Sequence, residues 1–235
     1  NGIDTAALEK ILSENERVKL LYTIPSFQNP SGITSTLENR RAVYELARRY
    51  DIIIIEDNPY GDLRFTGEDV PTYKSFDSDG RVVYCGSFSK ILSAGIRIGT
   101  LTANKEIVSK IVVAKQVEDV HTNVFFQMVT AKFIKEYDLE KHILKIRELY
   151  RHKATVMLEA LDRYMPKDDS YTRPEGGIFL WCTLPEGIRL SDFVSLAAEK
   201  NVFVVPGTAF LPDESEPTRS FRLNYSMPSD SEIDK

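Results

Sequence analysis

Cysteine is scarce in this sequence. Cys85 and Cys182 are its only two, far apart and in no C-x-x-C spacing, which excludes a disulfide framework and a cysteine-bound zinc and suits a reducing cytoplasm. Histidine is nearly as rare. His121, His142 and His152 fall on helical patterns or at their edges, with no spacing that pairs them around a metal, and they read as exposed helix-surface residues. No apolar run approaches the roughly 18 residues that a membrane helix needs. The opening stretch NGIDTAALEK has neither the charged nor the apolar region of a signal peptide, and it lacks an initiator methionine, from which we expect a chain cut from a longer one. Charge of one sign is not in excess either: 30 Lys and Arg are interspersed with 35 Asp and Glu, for a formal net charge of −5. Neither nucleic acid nor an anionic membrane is indicated as a partner. G-x-x-x-x-G-K-[ST], G-x-G-x-x-G after a strand and H-E-x-x-H are all missing, as are internal repeats and low-complexity tracts.

What is present suits a globular α/β protein. At 235 residues and 42% hydrophobic, the chain can bury a sizeable core as one large domain or two smaller ones. Its first half alternates short apolar runs with helical periodicity, the rhythm of a parallel sheet covered by helices. VKLLYTI (18–24), IIIIE (52–56), RVVYC (81–85) and IRIGTLTA (96–103) read as strands, the second continuous and β-branched as a fully buried strand is. Between the first two, Ser35 to Glu38 fits a capping box, and Val43, Leu46, Ala47 and Tyr50 recur at helical spacing, which predicts a helix over 36–50. Further helical patterns cover 104–120, 123–137 and 139–164. From Arg173 onward, PEGGIFLWCTL, LSDFVSLAAEK, NVFVVPG and SFRLNYS suggest strand, helix, strand, strand, a smaller α/β unit behind the long helix. We therefore expect a boundary near residue 138, with lobes over 1–137 and 138–235 packed together without a flexible linker.

In open parallel sheets, ligands collect at the carboxyl ends of the strands. At that edge the sequence places Asn29 after the first strand, Asp57 and Tyr60 after the second, and Ser87, Ser89 and Lys90 after the third. SFSKILSAGIRIG (87–99) sets one lysine among serines with Arg97 beyond it, a combination that suits a bound anion. Each feature has a structural explanation on its own. QNPSG is a good turn, Pro30 fixing φ and Gly32 tolerating positive φ, and EDNPYGD could be another. A lone lysine is ordinarily a surface residue, and Arg97 could be an exposed ion-pair partner. Those explanations do not account for the joint placement at one edge. Phe125, Phe126 and Phe133 read as core or dimer packing.

Taken in order, NPSG, EDNPY, SFSK with GIRIG, PEGGIF and FRLNYS resemble the fold-type I pyridoxal-phosphate aminotransferases of class I/II over essentially the whole chain, SFSKILSAGIRIG being the most specific of the set. YTIPSFQNPSG looks most like the branch that holds 2-aminoadipate, aromatic and kynurenine aminotransferases. The resemblance implies an α/β fold, with an incomplete, mainly parallel large-domain sheet and a smaller C-terminal α/β domain. It implies pyridoxal 5'-phosphate as cofactor and no metal. Lys90 would form the Schiff base with the cofactor aldehyde, a task for an amine whose pKa falls when it is desolvated near positive charge, and would later move a proton at the substrate. Asp57 would pair with the pyridine nitrogen and keep it protonated. Asn29 and Tyr60 would donate to the ring's phenolic oxygen. Ser87, Ser89 and Arg97 would hold the phosphate, the arginine through a charge-assisted fork. Arg222 would grip the substrate α-carboxylate bidentately, with Asn29 beside it. Gly176 and Gly177 would let backbone approach the ligand, or simply turn the chain into a strand.

The implied reaction transfers an amino group between an amino acid and a 2-oxo acid, with 2-oxoglutarate and glutamate as one pair, in a homodimer whose sites borrow residues from the neighbouring subunit. The family's earlier glycine-containing phosphate loop, its ring-stacking aromatic and its last helix have no counterpart in the sequence, so this stretch alone is expected to bind cofactor weakly and turn over little. Two other readings share the fold. One is the aminotransferase-like lobe of a DNA-binding regulator, against which Asn29 argues mildly; the other is a lyase or decarboxylase, which Arg222 leaves open.

Overall fold

Helical and strand periodicities resolve into two four-stranded sheets with one long helix between them. The computed structural model describes residues 2–167 and 170–234. The first sheet is built from β1 (Leu20–Thr23), β2 (Ile53–Asn58), β3 (Val82–Ser87) and β4 (Gly99–Thr102), in that spatial order. β1, β2 and β3 run parallel, with Leu20 opposite Ile53 and Asp57 opposite Cys85, so their carboxyl ends share one edge. β4 departs from the expected pattern. It is antiparallel to β3, and only Gly99–Thr102 of the anticipated 96–103 pairs. The segment between β3 and β4 is shorter than the crossover of about a dozen or more residues that a parallel return requires, so the chain doubles back. Arg97 consequently lies before the strand, in a left-handed conformation at φ 55°.

Two helices cover one face of this sheet. α1 (Thr5–Glu14), which periodicity did not reveal, is capped by Asp4, whose carboxylate accepts from the amides of Ala6 and Ala7. α2 (Leu37–Arg49) packs Val43, Leu46 and Ala47 with Leu8, Leu12, Ile52, Ile54 and Val82. Its cap is Thr36, which accepts from the Asn39 amide at 3.2 Å, rather than the expected box from Ser35 to Glu38. Ser35 is buried instead, with its carbonyl taken by Arg40.

The chain continues through α3 (Lys105–Glu118), α4 (Val124–Glu136) and α5 (Leu139–Tyr164). The second sheet contains β5 (Ser170–Tyr171), β6 (Phe179–Thr183), β7 (Val205–Pro206) and β8 (Ser220–Asn224), ordered β5-β6-β8-β7 and antiparallel throughout, with α6 (Leu190–Glu199) and α7 (Asp230–Ile233) attached. α5 has 26 residues, about 39 Å at 1.5 Å per residue. Ile143, Ile146 and Tyr150 from its first half pack on Phe27, Tyr60, Leu63 and Phe179, and Ala154 and Met157 from its second half pack on Leu180 and Tyr225. Because α5 crosses the turn after β3, His142 is half-buried there and its Nε2 donates to the Ile91 carbonyl at 2.9 Å, not exposed as its helical position suggested. Phe125 is not in the core of this chain. It is 67% exposed on α4, and Val117 of α3 is 89% exposed. No helix among the described residues is long and apolar enough to cross a membrane, and they hold no group of metal ligands.

Candidate active site

The loop after β1 is fixed from beneath. Arg40 of α2 is fully buried and donates to the carbonyls of Pro25, Ser35, Val70 and Pro71 and to the Ser26 hydroxyl. Within the loop, Gly32 adopts φ 69°, and a Cβ there would lie 2.7 Å from the Phe179 carbonyl, so only glycine lets the loop lie this close to β6. The result is contact between two residues far apart in sequence: Arg222 Nη1 donates to Asn29 Oδ1 at 2.6 Å. A guanidinium can only donate, so this bond fixes the amide's orientation and leaves the Asn29 Nδ2 hydrogens facing away from the arginine.

Arg222 sits on β8 between Trp181 of β6 and Val205 of β7. Its guanidinium lies 4.2 Å from the Phe179 ring centroid and 5.1 Å from that of Phe210. Nε is buried without a hydrogen-bond partner. Burial lowers the guanidinium's proton affinity, and Tyr60 opposes that effect. An arginine with one terminal nitrogen committed and a buried Nε unsatisfied presents its side edge to a planar bidentate anion.

Asp57 stands near the end of β2, and its Oδ2 accepts from the Tyr22 hydroxyl at 2.6 Å. Burial, and then the hydrogen bond and charge of Asp57, hold the Tyr22 phenol far above its ordinary pKa, so it stays a neutral donor. Tyr60, 6% exposed, meets Phe179 edge-on with centroids 5.5 Å apart. Burial raises its phenol, Arg222 draws it back and Asp57 pushes it further up, which places Tyr60 electrostatically between the two. Next to Asp57, Asn58 donates to Tyr84 Oη at 3.0 Å and keeps a buried Oδ1 unpaired.

Ser87 ends β3, and its Oγ accepts from the Ser89 amide at 3.1 Å. Lys90 is half-buried in the following turn, beside Ile91, and makes no hydrogen bond or ion pair with the described residues. Arg97 is exposed, donates to the Ala94 carbonyl at 3.2 Å and reaches neither Ser87 nor Ser89. The structure thus brings Asn29, Asp57, Tyr60 and Arg222 into one neighbourhood and links Ser87 with Ser89, while the side chains of Lys90 and Arg97 make no hydrogen bond or ion pair with the others. Tyr22, Asn58, Phe179 and Phe210 belong to the same neighbourhood and were not singled out from sequence. Tyr22 was within reach: it lies opposite Ile55, two residues before Asp57, and alternation along paired strands puts those side chains on one face.

The family model for aminotransferase class I and II matches residues 1–235. The aromatic-amino-acid aminotransferase 1 of Thermococcus litoralis is 44% identical over 226 residues, covering 96% of this chain and 54% of that protein. The 2-aminoadipate transaminase of Thermus thermophilus is 38% identical over 228 residues, covering 96% and 57% respectively. The crystal structure of the Pyrococcus horikoshii kynurenine aminotransferase, solved with PMP, kynurenine substrate and KYA product, superposes with a TM-score of 0.95 at 41% identity, over 99% of this chain and 58% of that one. The chain therefore spans a little over half the length of these relatives. From the family match over the whole chain and the superposition, the chain belongs to the class I and II aminotransferases and has their fold-type I α/β architecture.

Proposed function

We propose that the whole protein is a pyridoxal 5'-phosphate-dependent aminotransferase that moves an amino group between an amino acid and a 2-oxo acid, glutamate and 2-oxoglutarate forming one pair. The observation that carries this reading is Arg222, held by Asn29, lying over Phe179, with an unsatisfied buried Nε beside Tyr60. The donor set fits the cofactor. A carboxylate at a strand end, a buried phenol, two hydroxyls at the close of β3 and an amine in the next turn match a protonated pyridine, a phenolate, a phosphate and an aldehyde in turn.

Pyridoxal phosphate, when bound, supplies an electron-withdrawing ring that weakens the bonds to the substrate α-carbon. Asp57 holds the proton on the pyridine nitrogen, with Tyr22 fixing its other oxygen. Tyr60 and the Asn29 amide donate to the phenolic oxygen. Ser87, Ser89 and Arg97 hold the phosphate, and Arg97 has donors beyond the one directed at Ala94. Arg222 binds the substrate carboxylate through its side edge and so orients the α-carbon. Lys90 would hold the cofactor at its aldehyde, and its Nζ would move the proton at the substrate α-carbon. The same reading divides the chain at 137/138 into a partial cofactor lobe and a smaller lobe. It assigns the protein to the cytoplasm and makes it a homodimer, the second supported by the exposed apolar residues of α3 and α4.

The test is an absorption spectrum of the full-length protein with pyridoxal phosphate, titrated with glutamate, beside Lys90→Ala. A visible band that glutamate shifts and that Lys90→Ala lacks is expected. A lysine-dependent band indifferent to every amino donor would overturn transamination in favour of the regulator, and release of ammonia or carbon dioxide would favour the lyase or decarboxylase. The absence of any band would remove the cofactor assignment.

A further inference from the structure

Arg64 has no role in the reading above, yet it is 6% exposed, an unusual depth for a guanidinium. Its plane lies over the Phe27 ring at 4.8 Å. Nη1 donates to the Glu175 carboxylate at 2.5 Å and to the Thr66 carbonyl at 3.0 Å, and Nε faces Asp69 at 3.5 Å. Phe27 and Glu175 belong to the two segments that meet at Arg222. Phe27, 1% exposed and held at φ 51°, lies just before Asn29 in the loop after β1. A non-glycine residue in that conformation is kept there by its surroundings. Glu175 opens the turn through Gly176 and Gly177 into Phe179, the ring beneath Arg222.

The two segments are pressed together around this pair. A Cβ on Gly177 would lie 2.6 Å from the Phe27 Cβ, and one on Gly176 would run into the Phe27 ring. The amides of Phe65 and Thr66 donate to the Glu175 carbonyl at 2.9 and 3.1 Å, and that of Gly177 donates to the Leu63 carbonyl at 3.2 Å. Side chains and backbone converge on one clasp between the sheets.

We propose that Arg64 is a positioning residue for the carboxylate grip: by holding Phe27 against Glu175 it sets the separation of Asn29 from Arg222, and with it the direction in which Arg222 presents its free edge. The proposal rests on the reading of Arg222 as the residue that binds the substrate carboxylate. Misdirecting that edge weakens substrate and transition state alike, so the loss falls on KM and not on kcat. Plain structural support would behave differently, lowering stability while leaving ligand affinity alone.

The experiment uses the full-length protein loaded with pyridoxal phosphate and two variants. Glu175→Ala removes a side chain that is 57% exposed, so the fold tolerates its loss, and Arg64→Lys keeps the charge but loses the planar face and the fork. Binding of 2-oxoglutarate is measured by calorimetry, KM and kcat for glutamate by turnover, and the melting midpoint alongside. We expect the Kd and KM of both variants to rise about tenfold with kcat unchanged. An unchanged Kd in Glu175→Ala, or a fall in kcat with KM constant, would overturn the proposal. Failure of the underlying reading shows elsewhere: the unmodified protein would then bind 2-oxoglutarate no better than Arg222→Ala does, and the clasp would lose its purpose with it.

Discussion

Asn29 and Arg222 divide the work at the residue scale. The amide occupies Nη1 and leaves the side edge of the guanidinium unpaired at Nε, the edge that in the proposed function takes a carboxylate. Lysine at position 222 would keep the charge and lose that geometry, so Arg222→Lys is expected to lower kcat/KM for amino acid and 2-oxo acid by about 100-fold, ~3 kcal/mol at the transition state. Steady-state kinetics with both substrates check this, and a change below threefold would contradict a bidentate grip. Tyr22 supports Asp57 through a single short hydrogen bond. Removing the hydroxyl in Tyr22→Phe takes away one charge-assisted bond, worth ~1.5 kcal/mol, and is expected to speed pyridoxal phosphate dissociation about tenfold. Dialysis followed by spectroscopy measures the rate; equal rates would show that Asp57 orients without Tyr22.

At the scale of elements, the turn that feeds β3 is organised by one carboxylate. Asp77 accepts from Lys74 Nζ at 2.9 Å and from the amides of Gly80, Arg81 and Val82. Burial pushes its pKa upward, but the Lys74 and Val82 hydrogen bonds more than offset this, and the group stays below the ordinary carboxylate range. A depressed folded pKa stabilises the fold above the unfolded value and loses that contribution as pH falls through the folded one. Stability to urea should therefore drop below pH ~4, and Asp77→Asn should be less stable by ~2 kcal/mol near neutrality while losing part of that acid dependence. Parallel acid limbs in the two proteins would contradict the assignment. The elements were legible in proportion to their local pattern. α5 was read to its ends because its apolar stripe and Asp138 cap are local, and β2 because Ile52 to Ile55 are continuous and β-branched. The direction of β4 follows from the short excursion before it and not from the pattern of IRIGTLTA itself.

For the molecule as a whole, the apolar surface is uneven. Val113, Val117, Phe125 and Met128 of α3 and α4 are exposed by 62%, 89%, 67% and 67%. A second copy of the protein against this face would remove that surface from water. Val117→Ser with Phe125→Ser is expected to shift sedimentation of the full-length protein towards monomer at least about tenfold in concentration. Unchanged sedimentation would place the interface elsewhere. Motifs that carry their own residues made Asn29, Asp57 and Tyr60, which the fold brings into one neighbourhood with Arg222, legible as candidates. The candidate site was hidden where the chain had to fold first: Phe179 and Phe210 frame Arg222 only once β6, β7 and β8 pair, and Arg64 reaches Glu175 only where the segment after β2 meets the turn before β6. One aromatic contact carries a practical consequence. Trp181, the sequence's single tryptophan, meets Phe210 edge-on with centroids 5.7 Å apart, and Phe210 in turn lies over Arg222. The protein thus contains its own fluorophore one ring away from Arg222, and if the proposed grip is right, the emission of that indole should register an arriving carboxylate without label or turnover.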